Sequence, residues 1–385
     1  MDFEFSEEHR MFKDSLERVN REKIEPLLAS YPKDDPLPRE ACERIRELLL
    51  PFGIHGARVP EEYGGSGLGA VGLGIAAETL PYEAFELMIC IEIIALRMCL
   101  GGSQDMKRKY LPRLMAGEKF GASATSEPDV GSDPRGVRTR AELRGDTYVL
   151  NGTKIWVSAG SVADYLLVVA STGKDDKGKP VITPFFVDTA QSPVEVRHLD
   201  LMGIRQSHIC EIFLDNVSIP SENMFSEAQG HAHRVLTASW LGQRAVVGLY
   251  NIRLAERAYE AALQYAKERV QFGRPIAGFQ SIQNTLAEMR ALIDASKLLC
   301  YRALCMSDKG QRPDVESSLA KFFSCEAALK VTNAAIEVHG AFGITKEFAV
   351  EKYFRDARVL AFPDGTIGIQ KLIVGREITG IRAFS

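Results

Sequence analysis

Tyr148-Val149-Leu150-Asn151-Gly152-Thr153-Lys154-Ile155-Trp156-Val157 is the stretch on which the fold turns. Runs of β-branched and aromatic residues lie on both sides of Asn151-Gly152, and Asn-Gly is a strong signal for a tight hairpin because both residues tolerate positive φ. The region around it, from about Phe120 to Pro220, has the same texture. Further strands are expected at Tyr165 to Ser171, Val181 to Asp188, Val194 to Leu199 and Ile209 to Leu214. Strands with no helix between them predict a small antiparallel barrel or sandwich rather than a parallel nucleotide-binding sheet.

Helical patterns flank this region. From Glu7 to about Met115, apolar residues recur at three- and four-residue intervals, as in Glu40 to Leu50, with breaks at Pro32 to Pro38, Pro51 to Pro60 and Tyr63 to Gly67. After about Gly230 the helices lengthen. Ile282, Leu286, Met289, Ile293, Ser296, Cys300 and Ala303 form one seam. Arg312-Pro313-Asp314 opens a helix that should stop at Gly340. With Leu241 to Glu268 and Gly368 to Thr379, a four-helix bundle is expected. The fold class is therefore α+β: an all-α domain over residues 1–118, an antiparallel β-barrel over 119–226 and the bundle over 227–385.

Composition narrows the function. A 385-residue chain of formal net charge −4 offers no global attraction for nucleic acid or an anionic membrane. The arginines at 135, 138, 140 and 144 are interleaved with Asp133, Glu142 and Asp146 and read as a solvated surface strand. Seven cysteines without a CxxC pair suggest reduced thiols of a cytoplasmic protein. The acidic N-terminus lacks a secretory pattern. Phe85 to Leu100 is apolar but carries Glu86, Glu92 and Arg97 and reads as a buried helix, not a membrane span. His231 and His233 are too few for a metal site, so none is expected.

A carboxylate, Asp364, sits in the turn Phe362-Pro363-Asp364-Gly365-Thr366 between apolar segments, where it can act as a base or merely precede a helix cap. Around it, several motifs fall in a recognisable order. Pro60-Glu61-Glu62-Tyr63-Gly64-Gly65, Ser126-Glu127-Pro128-Asp129-Val130-Gly131-Ser132-Asp133, Lys154-Ile155-Trp156-Val157-Ser158, Arg269-Val270-Gln271-Phe272-Gly273 with Phe279-Gln280, and Arg355-Asp356-Ala357 with Gly365-Thr366 and Gln370 resemble the motifs of the acyl-CoA dehydrogenase family over essentially the whole chain. The resemblance implies FAD held by Thr125, Ser126, Ser132, Trp156, Ser158, Arg269, Gln271, Gln280, Glu337, Gly340 and Thr366. It implies an acyl-CoA substrate met by Ser132, Arg244, Gly365, Arg376 and Glu92, with Asp364 as catalytic base. A homotetramer and an electron-transfer flavoprotein partner are implied in the same way.

The chain also departs from the family. Glutamate is the usual base, and aspartate is shorter by on the order of 1 Å. Gln243, at the alternative base position, cannot replace it. The shortened base resembles the alicyclic branch, which oxidises cyclohexane-type carboxyl-CoA esters. It is also similar to the nitroalkane oxidases, and a flavin-binding relic without catalysis remains a third reading. Glu337, Ala341, Gly368 and Leu241 stand where the family has other residues, and Glu92, which the resemblance puts beside the acyl pocket, reads as a partly exposed or paired helical glutamate in preference to a second base.

Overall fold

The computed structural model describes residues 4–225, 232–381 and 383. Its strands are β1 (Gly121–Ala124), β2 (Arg140–Arg144), β3 (Thr147–Val157), β4 (Tyr165–Lys174), β5 (Pro180–Asp188), β6 (Glu195–His198), β7 (Cys210–Pro220) and the short pair β8 (Val270–Gln271) and β9 (Arg274–Pro275). Asn151-Gly152 is not a hairpin turn. It lies inside β3, at a register shift against β7. Gly152 has φ 153°, and a Cβ there would stand 2.5 Å from Thr139 Oγ1, so glycine is required by close approach of another backbone. Asn151 Oδ1 accepts the Asn216 N–H across the sheet at 2.9 Å. The chain reverses earlier, at Gly145-Asp146 between β2 and β3, where Gly145 has φ 64°.

The large sheet runs β1-β4-β2-β3-β7-β6, with β5 on β4. It is mixed, which corrects the antiparallel expectation: β1 pairs parallel with β4 over four residues, and β2 touches β4 in parallel at Arg140 and Ser171. Strand periodicity reports which face is buried and carries no information on direction. Leu150, Leu166, Val168, Phe185, Val187 and Ile212 fill the core of this sheet. β2, with one buried residue in five, is the charged surface strand expected from its composition.

The helices are α1 (Glu7–Val19), α2 (Glu25–Ala29), α3 (Arg39–Leu49), α4 (Gly69–Thr79), α5 (Tyr82–Gly101), α6 (Gln104–Met115), α7 (Ala232–Glu268), α8 (Gln280–Asp308), α9 (Asp314–His339), α10 (Val350–Leu360) and α11 (Ile367–Thr379). Two compact units result. One comprises residues 1–73, 80–200 and 205–240, and the other residues 74–79, 201–204 and 241–385. In the second unit α9 is the centre, packed by α8, α10 and α11. The α10 helix is absent from the expected bundle because its eleven residues are short and half-exposed. The α8 seam is buried from Leu286 to Ala303, while Ile282 is half-exposed. No described helix is long and apolar enough to cross a membrane.

In the first unit α5 carries acids into the interior. Glu86 is fully buried and accepts the backbone N–H of Ala159 at 2.9 Å and of His208 at 3.3 Å, tying the helix to the end of β3. Burial pushes its carboxyl up from 4.5 to about 7, against those donors, which pull it down. A folded-state value above the unfolded one means that protons bind the native protein more tightly between pH 4.5 and 7. The stabilisation is complete below that window and is lost as pH rises through it. Glu86→Gln removes this titration, so its urea-unfolding free energy relative to the parent should climb from pH 5 to pH 8, by at most about 3 kcal/mol. A flat difference would show that Glu86 titrates as it does in the unfolded chain.

Candidate functional site

The β3 strand brings a lysine into the apolar sheet. Lys154 is fully buried and donates to Glu127 Oε1 at 2.8 Å and to the Thr125 carbonyl at 3.0 Å. Glu127 also accepts the N–H groups of Arg138 at 2.7 Å and Thr139 at 2.9 Å. Burial lowers the Lys154 ammonium to about 8. The Glu127 carboxyl, although burial works to raise it, is held below its ordinary value by Lys154 and the Thr139 donor. The segment carrying Thr125 and Ser126 is thereby fixed, and the Ile155 N–H donates to the Ser126 carbonyl at 3.0 Å. Thr125, Ser126, Trp156 and Ser158 thus sit on adjacent, hydrogen-bonded backbone.

Trp156 is unusual within this group. It has φ 61°, a left-handed conformation that a bulky residue adopts only under constraint, and it is 58% exposed. The core tryptophan that a strand usually carries is therefore ruled out. Ser158 Oγ lies 3.5 Å from Tyr82 Oη. Ser132 is exposed, beyond the buried Glu127.

Glu92 is not a free carboxylate. Both its oxygens are held by Arg58, Nε and Nη2, at 2.7 Å, and its side chain is fully buried. Arg58 also donates to the Ser239 carbonyl at 3.3 Å, and Arg97 to Ser239 Oγ at 2.9 Å and to Ser123 Oγ. A bidentate arginine partner saturates the acid, so Glu92 is the paired helical glutamate that its sequence setting favoured over a second base.

In the second unit, α10 ends at Leu360 and Asp364 follows in the turn before α11. Asp364 is half-buried with φ 55°, and Gly365 continues at φ 97°. Thr366 caps α11, accepting the Ile369 N–H at 3.3 Å. Gln370 is fully buried and donates to the Asp364 carbonyl at 2.9 Å and the Gly365 carbonyl at 3.3 Å. Arg244 on α7 has its guanidinium charge disfavoured by burial and favoured by Asp364. It donates to Ser318 Oγ at 3.2 Å, while its buried Nε has no hydrogen-bond partner among the described residues. Arg376 is exposed and pairs with its neighbour Glu377. Arg355-Asp356 has an anchoring role: Asp356 accepts the Ile204 N–H at 2.6 Å and Arg355 donates to the Met202 carbonyl at 2.6 Å.

A third group lies on the surface of the same unit. Arg269 and Gln271 lead into the β8–β9 hairpin, whose tip Phe272 is 93% exposed with φ 50°. The Arg269 guanidinium stands 6.0 Å from the Phe342 ring in the turn that begins at Gly340. Gly340 has φ 62° and open space where a Cβ would project. Glu337 and Gln280 are exposed helix-end residues. Among the described residues no His, Cys, Asp or Glu cluster could hold a metal. His231 lies outside the described residues, as do the side chains of Arg135, His233 and Leu241.

Sequence reasoning assigned no role to Lys154, Glu127 or Lys321. Their signal was available: lysines in otherwise apolar runs, and an acid inside a turn motif, must find a partner when buried.

Comparison with known proteins finds relatives over the whole chain. Three family models match in order: the acyl-CoA dehydrogenase N-terminal domain over residues 6–118, the middle domain over 122–217 and the C-terminal domain over 233–379. A probable acyl-CoA dehydrogenase of Bacillus subtilis (strain 168) is 32% identical over 98% of this chain and 100% of its own length. The solved butyryl-CoA dehydrogenase of Megasphaera elsdenii superposes with a TM-score of 0.91 at 30% identity, covering 98% of this chain and 100% of that one. A glutaryl-CoA dehydrogenase from Mycobacterium smegmatis in complex with FADH2 gives 0.87 at 26% identity, with 99% and 97% covered. Matched from end to end in sequence and in backbone, this chain belongs to the acyl-CoA dehydrogenase family.

Proposed function

We propose that the chain dehydrogenates an acyl-CoA thioester between its α and β carbons, with Asp364 removing the α-proton, and that the favoured acyl group is branched or alicyclic. The observation that carries this reading is the half-buried Asp364 in a strained turn, coupled to the otherwise under-bonded Arg244. Family members are FAD flavoproteins, and the residues here suit that cofactor. Trp156 offers an exposed aromatic face beside the hydroxyls of Thr125, Ser126 and Ser158, and Arg269 and Gly340 offer a charge and an open backbone. When bound, FAD supplies the acceptor for the β-hydride.

The chain's own part is proton removal and charge placement. An α-proton beside a thioester is weakly acidic, so the carbonyl oxygen must be stabilised as charge develops on it. The Asp364 backbone N–H is the donor assigned to that task, Pro363 before it having none to offer. Arg244 adds positive charge close to the carboxylate. Ser132, Gly365 and Arg376 are assigned to the thioester, and Gln271, Gln280, Glu337 and Thr366 to FAD. A homotetramer, an electron-transfer flavoprotein acceptor and a cytoplasmic setting complete the reading. The described cysteines are all unpaired, which suits a reducing compartment.

Three experiments test it. Anaerobic mixing of the purified protein with butyryl-, isobutyryl-, glutaryl- and cyclohexanecarboxyl-CoA, and with nitroethane, should bleach the flavin absorbance fastest with the cyclic or branched thioester. Bleaching by nitroethane alone would transfer the protein to nitroalkane chemistry. Asp364→Ala should retain FAD and lose flavin reduction by on the order of 1,000-fold or more. Full activity in that variant would remove Asp364 as base. Asp364→Glu should shift preference toward linear chains, and an unchanged profile would defeat the argument from reach.

A further inference from the structure

Lys321, on α9, is fully buried and pairs with no carboxylate among the described residues. Its ammonium donates instead to two backbone carbonyls, Gly365 and, at 3.4 Å, Ala361. These two residues bracket Asp364. Gln370 approaches from α11 and holds the carbonyls of Asp364 and Gly365. Three carbonyls of one five-residue turn are therefore claimed by two buried side chains from two different helices. Burial disfavours the Lys321 charge, Cys325 and Asp364 favour it, and Arg244 opposes it. A buried cation would be costly unless the oxygens around it compensated.

We propose that Lys321 is the positioning residue for Asp364, with Gln370 as its second tie. Asp364 and Gly365 occupy consecutive positive-φ conformations, which an unrestrained non-glycine residue leaves readily. Fixing the carbonyls on either side prevents that escape and sets where the carboxylate points. This inference rests on the assignment of Asp364 as base.

The test compares the FAD-loaded parent with Lys321→Met and Gln370→Leu. Hydrogen exchange of a peptide spanning residues 361–367, measured without any thioester, should rise at least about tenfold in Lys321→Met and less in Gln370→Leu. In single-turnover bleaching with whichever acyl-CoA of the panel reacts fastest, Lys321→Met should be slower by on the order of 100-fold at saturation. The half-saturating concentration should stay within about threefold of the parent. Gln370→Leu should also be slower, by a smaller factor, with its half-saturating concentration likewise unchanged. Adding Lys321→Met to Asp364→Ala should cost nothing further.

The proposal is overturned if Lys321→Met keeps the parental rate and parental exchange at 361–367, or loses rate only in proportion to lost FAD. Should Lys321→Met fail to fold, parental exchange and parental bleaching in Gln370→Leu overturn it equally. If no thioester bleaches the parent, the functional reading fails. Raised exchange at 361–367 in Lys321→Met would still uphold the tie.

Discussion

A primary ammonium removed from water must direct its hydrogens at oxygen, and in each of the two units the structure around the candidate residues depends on this constraint. Lys154 obeys it by holding Glu127 and the Thr125 carbonyl, so the segment ahead of Trp156 cannot drift from β3. Lys321 obeys it by holding backbone carbonyls on each side of Asp364. In both cases the buried charge is compensated by atoms of an irregular segment, not by a neighbouring helix or strand. Such segments have no ladder of their own. A side chain that satisfies several of their carbonyls at once replaces the ladder with a few strong, charge-assisted bonds.

Three positive-φ residues near these segments follow the same logic. Trp156, Ala159 and Asp364 all have φ above 50°, and each lies within a few residues of a carbonyl or N–H held by a buried polar side chain. Ala159 donates to Glu86, the Asp364 carbonyl accepts from Gln370, and Trp156 lies between Lys154 and Ala159. A conformation costing on the order of 1–3 kcal/mol persists only where its surroundings over-determine it.

Much of this was legible in the sequence, and the failures are instructive. The helical stretches were readable because periodic burial along α3, α8 and α9 writes itself into composition, and Gly340 ends α9 as expected. The chain order of motifs was readable too. Asn151-Gly152 misled because the same two residues that favour a turn also satisfy a bulge, and only the nearby Thr139 backbone, thirteen positions before Gly152, distinguishes them. Parallel pairing of β1 with β4 left no trace because direction is set by the intervening chain. Glu92 was expected to be paired, but its partner could not be named because Arg58 lies 34 residues away. Local pattern reads local structure, and pairings across the chain escape it.

The aspartate at position 364 can be considered from the backbone as well as from the substrate. Short polar side chains tolerate the left-handed region better than longer ones because they can hydrogen-bond locally. An aspartate therefore lowers the cost of the turn at φ 55° while withdrawing the carboxylate by on the order of 1 Å from where a glutamate would place it. Those effects are separable. If backbone fit alone selected aspartate, asparagine and glycine at this position would preserve the turn and abolish only proton transfer, and glutamate would weaken the turn for every substrate alike. If reach selected it, glutamate would favour one class of acyl chain over another. The carbonyl ties from Lys321 and Gln370 favour the second alternative, because a turn restrained from two helices has less need of a residue chosen for its own conformational preference.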